Sequence, residues 1–171
     1  MFEELSKPEY QHVILNHLPL TGLAVALLAL IGAWMLGQRK ASIFVIFMVA
    51  LLAGTAWPVF STGLAGHDRV ESLIQLEGQA WLDSHHELAE QWVWVFYLTA
   101  LVSFVSGLLA VLRPQLTKWS VLLTGILAVA SLTAGLFIAE AGGKIRHDEF
   151  RGEPPPNAEA TDHEHATDHE H

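Results

Sequence analysis

Cysteine is absent from the 171 residues, and its absence removes three kinds of chemistry at once. Disulfides, thiolate metal sites and covalent c-type haem of the C-x-x-C-H kind are all excluded. Charge is the second scarcity. Asp, Glu, Lys and Arg make up 16% of the chain against 51% hydrophobic residues, an unusual balance for a water-soluble domain. The strict alternation of apolar and polar residues that marks half-buried strands is missing as well.

What the chain has instead is four long apolar windows, 13–37, 41–66, 92–112 and 118–139. Inside them the only ionisable side chains are His17, Tyr97 and the boundary Lys118. Each window is long enough to cross a hydrocarbon core of ~30 Å at about 1.5 Å per residue. Backbone in lipid must satisfy its own amides, so each is expected to be a helix. The expected fold is all-α: an integral membrane antiparallel four-helix bundle over 1–150, followed by a disordered tail over 151–171. The opening MFEELSKPEYQ lacks a basic n-region, and the first apolar run exceeds the about 7–15 residues of a signal h-region, so it reads as a retained helix.

The joints GQRKAS and RPQLTK carry Arg39, Lys40, Arg113 and Lys118 and no acid. By the positive-inside rule both face the cytoplasm of a bacterial inner (plasma) membrane, leaving both termini and the middle loop on the periplasmic side. The net charge of −9 then belongs to the outer face. It argues against nucleic acid and suits metal ions, protons or a basic protein, although acids also simply solvate an exported surface.

Several local signals concern that outer face. Pro19 removes an amide from the first helix, predicting a kink, and His17 with Asn16 beside it is expected to face the bundle interior, as a ligand, a proton-transfer group or an interhelical hydrogen bond. Val70, Leu73, Ile74 and Leu76 predict a short interfacial helix ended by Gly78, which can cover the outer mouth. Ser84 and Glu87 form a capping box, predicting a helix start at Ser84 that puts His86 and Glu90 one turn apart, while His85 points elsewhere. Trp81, Trp92 and Trp94 suit an interfacial aromatic belt. Gly142 and Gly143 read as C-caps that let Arg146, His147, Asp148 and Glu149 fold back over the mouth. The tail repeats T-D-H-E-H, a tract that either binds transition metals weakly or only solvates.

An antiparallel bundle would gather these groups, with His67 and Asp68 added from the second helix. His17, His86, Glu90, His147 and Glu149 are the candidate metal ligands, and His17, His86, His147 and Arg146 the candidates for holding a cofactor, since imidazole and carboxylate together suit Zn, Cu or Fe and facing imidazoles ligate haem b. HHELAE is not the zinc-peptidase H-E-x-x-H, because its last required position is Glu90. Paired E-x-x-H motifs of the di-iron kind are missing too.

NHLPLTG opening the first run, TG late in the second, HHELAE before the third and GGKIRHDEF after the fourth resemble an uncharacterised family of small four-helix bacterial integral membrane proteins, with the pattern N-H-x-P-x-x-G, then H-E, then G-G-x-I-R-H-x-E. The resemblance covers 12–150 and implies no activity. It groups His12, Asn16, His17, Pro19, Gly22, His86, Glu87, Gly142, Gly143, Arg146, His147 and Glu149 as one unit. The functional expectation is a non-hydrolytic membrane module that binds haem b or a single transition metal at its outer face, for electron transfer or metal handling beside a membrane redox complex. The alternative is an accessory subunit of a larger complex whose polar cluster is a hydrogen-bonded lid. A transport pathway fits poorly, since no carboxylate lies at the middle of any span.

Overall fold

The computed structural model of the chain describes residues 6–152, apart from the side chains at 76, 77 and 148. The repeats of the tail lie outside the described residues. All regular structure among the described residues is helical: α1 (Pro8–Leu15), α2 (Leu23–Met35), α3 (Arg39–Gly54), α4 (Ala56–Glu71), α5 (Leu76–Leu112) and α6 (Thr117–Lys144), with short 3-10 turns at Pro114–Leu116 and Asp148–Phe150. Four stretches are long and apolar enough to cross a membrane: Pro8–Met35, Arg39–Glu71, Gly78–Leu112 and Pro114–Lys144.

Pro19 has the local effect that its missing amide demands. The helix between α1 and α2 widens into a π-helical turn, Leu18–Gly22, with Pro19 itself buried. Gly22 opens the next turn, where an added Cβ would come within 2.8 Å of Leu52.

Three expectations about element ends change. First, the expected interfacial helix does not form: α4 continues to Glu71 and takes in Val70; Leu73 and Ile74 lie in the turn that follows; Leu76 opens α5, and Gly78 lies in the first turn of α5 rather than ending a helix. The outer turns of α4 stay helical because α1 packs along them, with Glu9 Oε1 accepting from Arg69 Nε at 2.8 Å and Gly66 close against the Glu9 backbone. Second, α5 begins at Leu76 and not at Ser84. Trp81, Leu82 and Ser84 are buried, so packing carries the helix through the capping-box signal. Third, Gly142 and Gly143 remain helical; Arg151 caps α6 instead, donating to the carbonyls of Lys144 at 2.7 Å and Ile145 at 2.9 Å.

The core between α2, α3, α5 and α6 is built from small side chains around Leu23, Leu30, Ile46, Val49 and Phe96. Along α5, Thr99, Ser103, Ser106 and Ala110 are buried at spacings of three and four; along α6, Ser120, Thr124, Ala128, Ser131 and Ala134 answer them. Small residues let backbones approach closely, the usual basis of helix association where solvent cannot drive it. Three polar contacts cross this seam: Thr99 Oγ1 is 2.8 Å from Ser131 Oγ and 3.2 Å from the Leu127 carbonyl, and Ser120 Oγ donates to the Ser106 carbonyl at 3.0 Å. At the basic end, Arg39 ties the two short joints together, with Nη2 donating to the Ala110 carbonyl at 2.7 Å and Nε to Thr117 Oγ1 at 3.3 Å. That guanidinium satisfies the carbonyls that α5 leaves unpaired at its C-terminus.

Candidate functional site

Among the described residues the histidines gather at the end opposite Arg39, where α1 packs on α4 and the overhang of α5 meets the end of α6. Two layers are distinguishable. In the outer layer, His67 on α4 lies between two carboxylates: its Nδ1 is 3.8 Å from Asp68 Oδ1 and its Nε2 is 3.8 Å from Asp83 Oδ1 on α5. Its ring is tilted against His86, with centres 5.3 Å apart. His86 in turn stacks on Phe60 and reaches Glu90 through Nε2 at 3.3 Å. A cleft of about 330 Å³ opens here, lined by Leu64, His67, Asp68, Asp83, His86 and Glu87. Ligand atoms of His67, Asp68 and Glu71 lie within 4.8 Å of one another, and they are the one group of three metal-ligating side chains so close among the described residues.

The helical register explains this meeting. His67 and Glu71 are four apart on α4, hence on one face, and Asp83, His86, Glu87 and Glu90 share a face of α5 at spacings of three and four. A His with nearby carboxylates offers a borderline nitrogen donor, hard oxygen donors and negative charge to balance a divalent ion.

The deeper layer is a pair of imidazoles. His12 Nδ1 is 2.8 Å from the Val59 carbonyl and His85 Nδ1 is 2.9 Å from the Ile138 carbonyl. The two ring planes stand at 87° with centres 6.2 Å apart. Each sits where a neighbouring helix has glycine, His12 against Gly63 and His85 against Gly142. His85 thus faces α6 and the bundle, and is not a solvated bystander.

The sequence-derived ligands are only partly gathered. His86 and Glu90 are one turn apart as expected. His17 is exposed rather than turned into the bundle, and its Nδ1 is 3.1 Å from the Val13 carbonyl of its own helix, a bond that satisfies the imidazole locally. Asn16 is exposed too. His147 and Glu149 pair with each other at 3.1 Å and are both exposed, as is Arg146. The Glu149 carboxyl is held below the usual carboxylate range, first by its own backbone N–H and then by His147. The segment 145–151 does fold back, but onto the start of α5, where Gly78 meets the Ile145 carbonyl and Arg151. Among the described residues, His17, His86 and His147 therefore form no common group at ligand spacing.

Asp83 carries no signal in the sequence because the stretch before Ser84 reads as a loop with a short surface helix, and His85 carries none because the register of a helix starting at Ser84 turns it away from His86 and Glu90. Helical periodicity applied through that stretch places Asp83 with His86 and Glu87. Comparison with protein-family models, with curated proteins and with solved structures gives no match.

Proposed function

We propose that this chain is an integral protein of the bacterial inner membrane, an antiparallel four-helix bundle that handles a divalent transition metal at its periplasmic face. The short basic joints and their bridging by Arg39 support that orientation, since cations concentrate on the cytoplasmic side. The observation that carries the functional reading is the outer cleft: His67 with Asp68 and Glu71 at ligand spacing, faced by Asp83 and His86 from a second helix. Two helices contribute donors, so a bound ion would bridge α4 and α5. Imidazole plus carboxylate favours Zn or Cu over Mg or Ca.

Packing favours a bare ion over haem b. The core at membrane depth is closed by Ala, Ser and Thr in contact, and the imidazoles lie at the polar end. Mixed donors with exposed carboxylates also suit capture and release better than fixed electron transfer. The accessory-subunit alternative predicts an indifferent cleft, which gives the test.

Full-length protein with His163, His165, His169 and His171 changed to Gln should bind one equivalent of Zn(II) by elemental analysis, without a Soret band. His67→Gln should weaken it at least about 10-fold, the order seen when a site loses a supporting group. Unchanged Zn(II) binding in a His67→Gln, His86→Gln double variant sinks this reading. A stoichiometric co-purified protein without metal supports the accessory role.

A further inference from the structure

We infer that His12 and His85 form a second metal site, separate from the outer cleft and suited to a monovalent ion of the copper(I) class. A carbonyl oxygen only accepts, so both Nδ1 atoms must donate, to Val59 at 2.8 Å and to Ile138 at 2.9 Å. In the neutral ring, that leaves the lone pair on Nε2. Neither Nε2 has a hydrogen-bond partner among the described residues. Metal-ligating histidines are held in this same manner, with the far ring N–H on a backbone carbonyl. A purely structural tether would need the Nδ1 bond alone, and an amide side chain would serve it.

The spacing agrees with a shared ion. An ion about 2.0–2.1 Å from a ring nitrogen stands roughly 3.2 Å from that ring's centre, so rings sharing one ion have centres up to roughly 6.4 Å apart. The observed 6.2 Å lies within that range. The seats are shaped for imidazole: a Cβ at Gly63 would stand 2.9 Å from His12 Cε1 and Nδ1, and one at Gly142 would stand 3.1 Å from the same atoms of His85.

Charge selects the ion. Both rings are partly buried, and no carboxylate lies within ion-pair distance of either among the described residues; nearby Glu9 and Glu140 are engaged by Arg69 and Lys144. Two neutral ligands leave the full ionic charge uncompensated. The cost of placing an ion in a poorly solvated site grows with the square of its charge, so a divalent ion is penalised about four times as heavily as a monovalent one. Copper is the imidazole-preferring metal that is stable as a monovalent, two-coordinate ion. His86, next in sequence, faces Phe60 and His67, so the two sites lie on different sides of α5.

The test is an anaerobic titration of the full-length chain carrying the four tail His→Gln changes, with Cu(I) competed by a chromophoric Cu(I) chelator. His12→Asn and His85→Asn keep an amide donor for the carbonyl and should each lose one Cu(I) equivalent with unchanged circular dichroism. The His67→Gln, His86→Gln double variant should keep it, along with the X-ray absorption edge feature of two-coordinate Cu(I). Gly63→Ala, which displaces a ring without deleting one, should weaken Cu(I) at least about 10-fold. Retained Cu(I) stoichiometry in both Asn variants overturns the inference, as does an edge spectrum with only three- or four-coordinate copper. Loss of Zn(II) binding in the cleft double variant speaks to the outer site alone, so the two readings fail independently.

Discussion

Alanine substitution of helical glycines separates packing from propensity in this bundle. Gly107 on α5 lies under the Phe47 ring of α3, where an added Cβ would meet three ring atoms at 2.8 to 3.1 Å. Phe47 has little room to retreat, because its other neighbour is the Phe104 ring, edge to face at 5.8 Å. Gly125 on α6 and Gly32 on α2 have nothing within 4 Å of the added atom. Alanine gains up to about 1 kcal/mol over glycine in a helix interior, at all three positions alike. Overpacking typically costs about 1–3 kcal/mol, and only position 107 incurs it. Gly107→Ala should therefore unfold more readily than Gly125→Ala by about 1–3 kcal/mol in reversible denaturant titration in mixed micelles. Adding Phe47→Leu should recover most of that difference. Equal shifts for Gly107→Ala, Gly125→Ala and Gly32→Ala would refute the close approach of α3 and α5.

Other outcomes follow from the polar seam and the termini. Thr99→Val removes the contacts to Ser131 and the Leu127 carbonyl and should destabilise by about 0.6 kcal/mol, the average for interhelical bonds in membranes, and by no more than about 1.7 kcal/mol. Ser103→Ala should not destabilise, because the Ser103 hydroxyl is buried without a hydrogen-bond partner; a loss equal to that of Thr99→Val would contradict this. Arg39→Gln frees the Ala110 carbonyl and should quicken amide exchange across 113–117, leaving the histidine end unchanged. Glu149 has a depressed folded value, so its contribution to stability is present above the ordinary carboxylate range and is lost as pH falls through the depressed value. His147→Ala should remove part of that depression in an NMR titration and leave the part due to the Glu149 backbone N–H, its first cause.

The sequence revealed the apolar segments and the basic joints because hydrophobicity is a run-length property that a single chain displays. At the basic end the expected boundaries, 37 to 41 and 112 to 118, fall close to the observed turns. At the histidine end they fell short. Polar residues stop a hydropathy window, yet α4 and α5 continue because Glu9 pairs with Arg69 and because Trp81 and Leu82 are buried. The His86–Glu90 neighbourhood was legible from helical spacing alone. The pairing of His12 with His85 was not, since it depends on glycines at 63 and 142 that lie on other helices. His17 misled because its position in an apolar run suggested an inward face, whereas the turn at Pro19 and the Val13 carbonyl let it remain exposed.

The length of α5 bears on where the proposed outer cleft would stand relative to lipid. Its 37 residues extend about 55 Å, well beyond a hydrocarbon core of ~30 Å. In the membrane placement proposed above, with Trp92 and Trp94 at the lipid boundary, Asp83 would stand about 13 Å further along the helix, about 6–8 Å beyond a headgroup layer of roughly 5–7 Å. That is no more than the Debye length of about 8 Å at physiological ionic strength. The proposed outer cleft would then lie at the edge of the counter-ion layer of the headgroups, and its occupancy by a divalent ion would rise with the fraction of anionic lipid beneath it.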